Sequence, residues 1–481
     1  MNNQLIGFTL GILLLIVGVA ELIPAVLDYN AGHSNAYDFL GCAIVSIFFG
    51  GALVISNRAR QYNLNLKQTF MLTTLSWLCI SIFAALPLYF SDLSLSFVDA
   101  FFESVSGVTT TGSTVLSGLD EMSRGILLWR SITQWIGGIG IVAFAIVIFP
   151  FLRIGGMQLF KTESSDRSDK IMPKTINLVA SLLIIYCGLT ALCALSYFVL
   201  GMDFFEAINH AMTTLSTGGY STHDASFGYY DNAAVQYTAA LFMFAGSIPF
   251  VLYVKYLYQG KFSFFEDEQF RVYVGVLCAM ITFMAGWLWM HSDYSLIKSL
   301  QHVTFNIISV ITTTGYATTD YTAWGGFAAL FFFFVTFLGA CSGSTSGGIK
   351  MMRLIVVTKL LNLQIKRLIF PHGIFSMRYQ KRPIEVSLAL NVMGFMGMFV
   401  VSNVVLAVLL SLLGLDFETS VSGAATALAN VGPGIGDTIG PAGNFATLPD
   451  AAKWLLCIGM ILGRLEIMTI FVLFTRTYWQ D

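Results

Sequence analysis

The stretch SVITTTGYATTD, residues 309–320, places a run of threonines and a glycine between two apolar segments of the chain. Near copies occur as SGVTTTGSTV around Gly112 and as TTLSTGGYST around Gly219. A fourth, divergent copy, LANVGPGIG, has Gly432 in the glycine position. Because a plain turn would not need this pattern repeatedly, the sequence predicts four copies of one structural unit.

The composition indicates a membrane protein. Of the 481 residues, 56% are hydrophobic and 11% are charged, whereas about 25% of the residues of a soluble domain are charged. A helix needs about 20 apolar residues to cross the hydrocarbon core of a bilayer. The predicted spans are 5–26, 40–55, 70–90, 126–151, 176–200, 233–258, 272–290, 327–338, 384–412 and 454–474. We therefore expect an all-α polytopic membrane protein with about ten transmembrane helices.

Basic residues are distributed unevenly among the predicted loops. Four loops, together with Arg476, hold 19 of the 25 Lys and Arg residues. These loops are 57–68, 152–174, 255–271 and 353–382. The positive-inside rule then places both termini in the cytoplasm. The opposite loops carry most of the acids, including Glu103, and few basic residues, including Arg130, so we expect an anionic outer vestibule that concentrates cations.

Each repeated glycine follows an apolar stretch of ten or so residues, which is too short to cross a bilayer because such a helix rises only about 15 Å. Acidic residues at the starts of these stretches, Asp99, Asp203 and Asp416, favour helix N-termini, and Glu206 follows Asp203 as in a capping box. The predicted unit is a long helix, a half helix, a glycine-terminated loop and a second long helix. The predicted domains are 1–62 (two N-terminal helices), 63–155, 170–260, 268–362 (with a broken second helix) and 380–481.

This unit suggests a role for the threonine and glycine residues. Irregular backbone at membrane depth is tolerated only where it is buried in protein or lines a watery cavity. Half helices entering from outside would point their partially negative C-terminal ends at a common centre, and four extended segments could turn rings of carbonyl oxygens toward a cation. The alternative for a single copy is a polar re-entrant turn with no ligand. Four copies favour a conduction filter.

The sequence resembles the TrkH/TrkG potassium-uptake proteins, in the superfamily that also includes the Ktr and HKT transporters. The resemblance covers essentially the whole chain and depends on several motifs together. These motifs are FFESVSGVTTTGST, WRSITQWIGGIGIVAFA, HAMTTLSTGGYST, FNIISVITTTGYAT, GSTSGGIK and LANVGPGIG. It implies four M1–P-loop–M2 repeats around one pore in each chain.

The resemblance also implies a potassium-binding filter made of backbone carbonyls. Carried over by position, its residues are Thr110, Thr111, Gly112, Thr217, Gly218, Gly219, Thr313, Thr314, Gly315, Asn430, Val431 and Gly432. In the family, glycine in all four filter positions accompanies potassium preference, and this sequence has all four. The fourth segment departs most from the threonine pattern, so we expect modest selectivity over sodium.

A gate is predicted below the filter. Residues 339–348 contain four glycines and three serines, which favours a broken helix over the alternative of close helix packing. The resemblance implies an intramembrane loop that obstructs the pore until it moves. The predicted gate residues are Gly339, Gly343, Gly347, Gly348, Lys350 and Arg464.

Arg464 lies within the last predicted span, where a charge costs about 2.5–3.5 kcal/mol on insertion scales. Glu466 would face another side of a continuous helix and is a poor partner for it. In the family the matching arginine projects into the permeation path, so we expect Arg464 to act as an electrostatic barrier. Pairing of Arg464 with loop carbonyls or with Glu466 is the structural alternative. The assignment of Lys350 to the gate has weaker support, because a lysine there could mark the cytoplasmic end of a helix.

Two other functional classes are alternatives to a conduction filter. A secondary transporter would use broken helices to hold a coupling ion, but the repeats here share one orientation, and proton or sodium symport with potassium stays an alternative. An intramembrane enzyme is disfavoured, because the sequence has no metalloprotease, nucleophile-elbow or Walker A motif. Uptake would then depend on the membrane potential, worth about 2.3 kcal/mol per charge per 100 mV.

The expected ligands and partners follow from the resemblance. It implies potassium as the substrate ion, no covalently bound cofactor, no nucleic acid, and a homodimer in the bacterial inner membrane. It also implies a cytosolic ring of nucleotide-binding regulatory subunits, similar to TrkA, that docks against the basic loops.

Overall fold

A computed structural model describes residues 4–57, 65–143, 175–260, 263–380 and 382–480 of the chain. The predicted basic loop at 152–174 lies outside the described residues, as do residues 58–64 and the end of the predicted span at 126–151. The described part is almost entirely helical, with one two-residue antiparallel hairpin that pairs Arg378–Tyr379 with Arg382–Pro383. The predicted all-α membrane fold is confirmed.

Seven helices in the described ranges are long and apolar enough to cross a membrane, and two bent helix pairs bring the number to nine. The first two, Gln4–Ala31 and Asn35–Ser56, form an N-terminal pair. The other helices follow one order four times: an entry helix, a short helix, a non-helical segment and an exit helix.

The entry helices are Leu66–Phe90, Thr175–Val199, Glu268–His291 and Val386–Leu412. The short helices 1 to 4 are Phe97–Val108, Phe204–Leu215, Leu296–Ile311 and Phe417–Ala429. Exit helix 1 is Arg124–Ala143, and the other exit helices each consist of two parts, Ala233–Gly246 with Phe250–Gln259, Gly326–Phe337 with Met351–Ile369, and Asp450–Arg464 with Met468–Phe471. The chain ends with a short helix, Arg476–Trp479.

The starts of the short helices were predicted in part. Asp416 caps short helix 4 as expected, because its carboxylate accepts the N–H of Thr419 at 2.8 Å. Asp203 caps short helix 2, accepting from the N–H of Phe205, but Glu206 does not complete a capping box. The carboxylate of Glu206 instead bonds to His223 and Tyr230. In short helix 1 the cap is Ser96, and Asp99 lies in the first turn, where the sequence predicts an acid.

Two exit helices that the sequence predicts as continuous are broken. Exit helix 2 bends by 84° and exit helix 4 by 102°. The first break frees backbone groups that pair with the third repeat: the N–H of Phe250 donates to the carbonyl of Gly343 at 2.9 Å, and Ser247 accepts from Cys341 at 3.3 Å. Pro249, which has no N–H to give to a helix, was the sequence signal for this break.

The N-terminal helix pair packs through glycines. A Cβ placed on Gly50 would lie 2.9 Å from the carbonyl oxygen of Gly11 and 2.9 Å from the nitrogen of Leu15. The pair also docks on the first repeat, because the carboxylate of Asp28 accepts the N–H of Gly125 at 2.8 Å. Close approach of two helices is a common basis of helix association in membranes.

We predict that Gly50→Leu destabilises the protein, because the added side chain would force the two N-terminal helices apart. Overpacking of this kind costs about 1–3 kcal/mol, so the thermal unfolding temperature of the purified protein in detergent should fall. The matched control is Gly51→Leu, since nothing lies within 4 Å of a Cβ at Gly51. Equal unfolding temperatures for the two variants would contradict this packing.

Candidate functional site

The four non-helical segments that follow the short helices meet in cyclic order. They contain residues 110–112, 217–219, 313–315 and 430–432, and are called corner segments 1 to 4 below. A Cβ on the glycine of each segment would overlap or crowd a carbonyl oxygen of the next: Gly112 with Gly218, Gly219 with Thr314, Gly315 with Val431, and Gly432 with Thr111. The chain therefore closes a ring around one axis, in the order of its repeats.

The backbone has the same conformation in all four corner segments. The first residue is left-handed each time, with φ of 52° at Thr110, 53° at Thr217, 59° at Thr313 and 56° at Asn430. The closing glycine also has positive φ, between 79° and 108°. Glycine is required there both by its φ and by the approach of the neighbouring segment.

Each corner segment is tied to its own short helix through one equivalent hydrogen bond. The N–H of the middle residue donates to a carbonyl five residues earlier, at 2.8 to 3.1 Å. The four bonds are Thr111 to Ser106, Gly218 to Thr213, Thr314 to Ser309 and Val431 to Thr426. The C-terminal ends of the short helices, which carry partial negative charge, therefore lie next to the ring.

The carbonyl oxygens of the corner segments are largely unused by the protein. Within the described residues, only those of Gly218 and Gly432 accept a hydrogen bond, from the Gln134 amide at 2.6 Å and from the Ser113 hydroxyl at 2.9 Å. Buried carbonyls normally have partners. The remaining oxygens have no hydrogen-bond donor among the described residues, and the two bonded oxygens each keep a second lone pair.

The tyrosines that follow Gly219 and Gly315 connect neighbouring repeats. The hydroxyl of Tyr220 donates to the carbonyl of Glu103 in short helix 1 at 2.8 Å. The hydroxyl of Tyr316 lies 2.5 Å from the Thr213 hydroxyl in short helix 2. These bonds join repeat 2 to repeat 1 and repeat 3 to repeat 2.

A buried ion pair supports the same side of the ring. The Arg130 Nε lies 2.8 Å from the Glu103 carboxylate, and both side chains are buried. Arg130 also donates to the carbonyl of Ser221 at 3.0 Å and lies over the Tyr220 ring. The assignment of Glu103 to an outer loop was wrong, because it lies in short helix 1. Arg130, counted on the opposite face, lies in exit helix 1, within the predicted span 126–151.

A non-helical loop lies beside the ring, between the two parts of exit helix 3. A parallel bridge between Leu338 and Ile349 closes it at its base. The loop contacts corner segments 2 and 3: the N–H of Gly347 donates to the Thr313 hydroxyl at 2.6 Å, and the Thr345 hydroxyl lies 3.2 Å from that of Thr217. The predicted break in this helix is confirmed, and Gly339, Gly343, Gly347 and Gly348 all lie in the loop.

Arg464 is the last residue of Asp450–Arg464, at the break of exit helix 4, and is buried. Its Nη1 donates to the loop carbonyl of Thr345 at 3.0 Å, while its Nε and Nη2 have no hydrogen-bond partner among the described residues. Glu466 pairs with Arg353 rather than with Arg464, as the poor geometry predicted. Lys350 is buried rather than solvent-exposed, and its ammonium bonds to the carbonyl of Ser346 in the loop.

Comparisons with known proteins agree with this architecture. Residues 37–481 match the family model TrkH, described as a cation transport protein. The chain belongs to the TrkH cation-transport family.

Relatives of the family match over nearly their whole length. The Trk system potassium uptake protein TrkI of Halomonas elongata is 47% identical over 98% of this chain and 96% of its own. TrkH of Escherichia coli K12 is 33% identical over the full length of both chains. The crystal structure of the potassium transporter TrkH from Vibrio parahaemolyticus superposes with a TM-score of 0.92 at 31% identity, covering both chains completely.

Several acids that the sequence assigns to an anionic outer vestibule are engaged in hydrogen bonds in the loops near Tyr220. Nδ1 of His223 lies 2.5 Å from the Asp120 carboxylate, and its Nε2 lies 3.0 Å from that of Glu206. The hydrogen bond from His223 lowers the pKa of Asp120. Asp224 accepts the N–H of Gly118 at 2.8 Å. These acids of the predicted vestibule therefore hold the loops together by hydrogen bonds.

His210 lies in short helix 2. Its ring nitrogens contact the Glu206 carbonyl and the Ser221 hydroxyl, each at 3.0 Å, so it serves packing and hydrogen bonding. No group of three or more His, Cys, Asp or Glu side chains able to hold a metal ion occurs in the described ranges.

We predict that Arg130→Met destabilises the protein strongly, because it leaves the buried Glu103 carboxylate without its partner. Removing one member of a buried pair costs about 3–5 kcal/mol. The measurement is thermal unfolding in detergent, followed by size-exclusion chromatography. Arg124→Met is the control, since that arginine lies at the exposed start of the same helix. An unfolding temperature for Arg130→Met equal to that of the control would contradict the role of the pair.

Proposed function

We propose that this protein mediates potassium-selective uptake through a filter formed by the four corner segments. The observation that supports it most is the closed ring, in which each glycine packs on a carbonyl of the next repeat. The relatives named potassium uptake proteins TrkI and TrkH agree with potassium as the substrate ion. Potassium is carried as cargo, and the function needs no catalytic residue.

The chemistry of the ring suits a monovalent cation. Carbonyl oxygens can replace the water around such an ion without binding it too tightly to leave. The short helices add partial negative charge beside the axis. The membrane potential supplies about 2.3 kcal/mol per charge per 100 mV, which drives a cation inward without nucleotide hydrolysis.

The loop at 338–350 acts as the gate in this proposal. It contacts corner segments 2 and 3, so a cation leaving the ring would meet it next. Arg464 bonds to the loop through Thr345 and retains two unpaired guanidinium nitrogens among the described residues. A fixed positive charge in this position repels cations while the loop is in place. Lys350 adds a second positive charge close to the loop.

An ion-coupled secondary transporter is the second candidate. Breaks in exit helices 2, 3 and 4 resemble the broken helices of such transporters. The short helices, however, all end at the same ring, as a channel-like filter requires. A potassium current in proteoliposomes that reverses at the potassium equilibrium potential at every pH gradient supports a channel. A reversal potential that shifts with the pH gradient supports proton symport.

The assembly follows the family resemblance. We propose a homodimer in the bacterial inner membrane with both termini in the cytoplasm. The relatives are named as parts of a Trk system, which fits a separate cytosolic nucleotide-binding regulatory subunit similar to TrkA. Exposed basic side chains such as Lys366 and Arg367, at the end of Met351–Ile369, are candidates for its docking.

Gly315→Ser should impair potassium uptake, because a side chain there meets positive φ and the carbonyl of Val431. Backbone strain of about 1–3 kcal/mol corresponds to a loss of roughly tenfold or more. The assay is growth of a potassium-uptake-deficient bacterium at low potassium, with uptake measured directly. Gly326→Ser is the control, since no atom lies within 4 Å of a Cβ at Gly326. Wild-type growth of Gly315→Ser would refute the filter.

Arg464→Ala should raise potassium flux in the absence of any regulatory subunit. Two unit charges 4 Å apart interact by about 4 kcal/mol at an effective dielectric constant of 20, so removing one lowers the barrier substantially. Flux into proteoliposomes measures this, with Arg476→Ala as the control outside the ring. Unchanged flux and gating in Arg464→Ala would refute the barrier.

A further inference from the structure

Corner segment 2 differs from the others at its middle residue. That residue is Thr111, Thr314 or Val431 in segments 1, 3 and 4, but Gly218 in segment 2. In segments 1 and 3 the threonine hydroxyl bonds back to the first threonine after the short helix, at 2.7 Å to Thr109 and 2.8 Å to Thr312. Segment 2 has no side chain to make that bond.

The side chain of Gln134 in exit helix 1 occupies the space that this glycine leaves. A Cβ on Gly218 would overlap the Gln134 amide group. The amide makes one hydrogen bond to the segment and one to the residue that follows it. Its Nε2 donates to the carbonyl of Gly218 at 2.6 Å, and its Oε1 accepts the N–H of Tyr220 at 3.0 Å.

These two bonds fix the orientation of the amide. A backbone N–H can only donate and a carbonyl can only accept, so each partner requires a different end of the Gln134 side chain. Gln134 is fully buried, and Arg130, one turn earlier, donates to the carbonyl of Ser221, two residues beyond the segment. The Gly218 carbonyl is therefore held by a rigid donor.

Exit helices 2 and 4 offer no such donor at the equivalent position. Gly137, Gly246 and Gly463 occupy matching places in exit helices 1, 2 and 4, because a Cβ on each would crowd a carbonyl in the last two residues of its own short helix, at Val108, Leu215 and Leu428. Three residues earlier stand Gln134, Met243 and Met460. The amide at the interface between repeats 1 and 2 thus has no counterpart in exit helices 2 and 4.

We propose that Gln134 is a specificity-determining residue of the filter, which favours potassium over sodium by restraining the Gly218 carbonyl. This proposal rests on the proposed function of the corner segments. A smaller ion requires the carbonyl to move inward, and the Gln134 bond opposes that movement. The same bond weakens the field of the oxygen, which disfavours the smaller ion too. Both accounts of filter selectivity, cavity size and field strength, therefore predict that the Gln134 bond favours potassium over sodium.

The carbonyl of Gly432 also accepts a protein hydrogen bond, from the Ser113 hydroxyl at 2.9 Å. A hydroxyl rotates about its bond and has no second anchor of the kind that Tyr220 gives to Gln134. The longer, single-anchored bond restrains its oxygen less. We therefore assign the larger influence on ion preference to Gln134.

The test compares Gln134→Met with the wild type in proteoliposomes, measuring uptake of potassium and of sodium separately. Methionine has a similar volume and stands at the matching positions Met243 and Met460. The expected result is a fall of about threefold to tenfold in the potassium-to-sodium uptake ratio, the range that one net hydrogen bond is worth. Met243→Leu is the control and should keep the wild-type ratio.

A wild-type ratio in monodisperse Gln134→Met protein would overturn the proposal, as would a loss of both uptakes in equal proportion. Gln134→Leu is the second variant, should Gln134→Met not fold; if neither folds, the residue is structural and the proposal fails. Failure of the proposed function looks different, because wild-type protein would then show no potassium uptake and Gly315→Ser would change nothing.

Discussion

One constraint shapes this protein: a backbone polar group inside a bilayer must find a partner in the protein or in a water-filled space. The chain leaves helical structure at the four corner segments and at the breaks of the exit helices. At the corner segments the middle N–H groups donate to carbonyls of the short helices, and most carbonyls of the segments themselves accept no hydrogen bond from the described residues. At the break of exit helix 2 the freed groups pair with the loop at 338–350. The ring and the loop are thus coupled by hydrogen bonding.

The four repeats share a backbone and differ in what supports it. Segments 1 and 3 use pairs of threonine hydroxyls, segment 2 uses Gln134, and the side-chain amide of Asn430 in segment 4 donates to the Thr111 hydroxyl at 3.0 Å. Duplicated units in one chain can diverge in this way, whereas identical subunits cannot. The ring is therefore supported in three different ways at its four corners.

Much of the fold and of the ring could be predicted from the sequence, because repeated glycines and the lengths of apolar segments are local signals. The four short helices, the ring residues and the broken exit helix 3 all follow from them. The Glu103–Arg130 pair and the Gln134 contact could not, since they join residues far apart in the chain through tertiary packing. Ser247–Pro249 and Glu466 also interrupt spans that hydropathy alone reads as continuous, because hydropathy carries no information on backbone direction.

We propose that the corner segments bind potassium with their carbonyls. Anomalous diffraction from crystals of the protein grown with rubidium, which scatters strongly and resembles potassium, would locate such an ion. We expect anomalous density on the axis among Gly112, Gly219, Gly315 and Gly432, lost in crystals grown with lithium. Density absent from that axis, or confined to sites away from the four glycines, would contradict it.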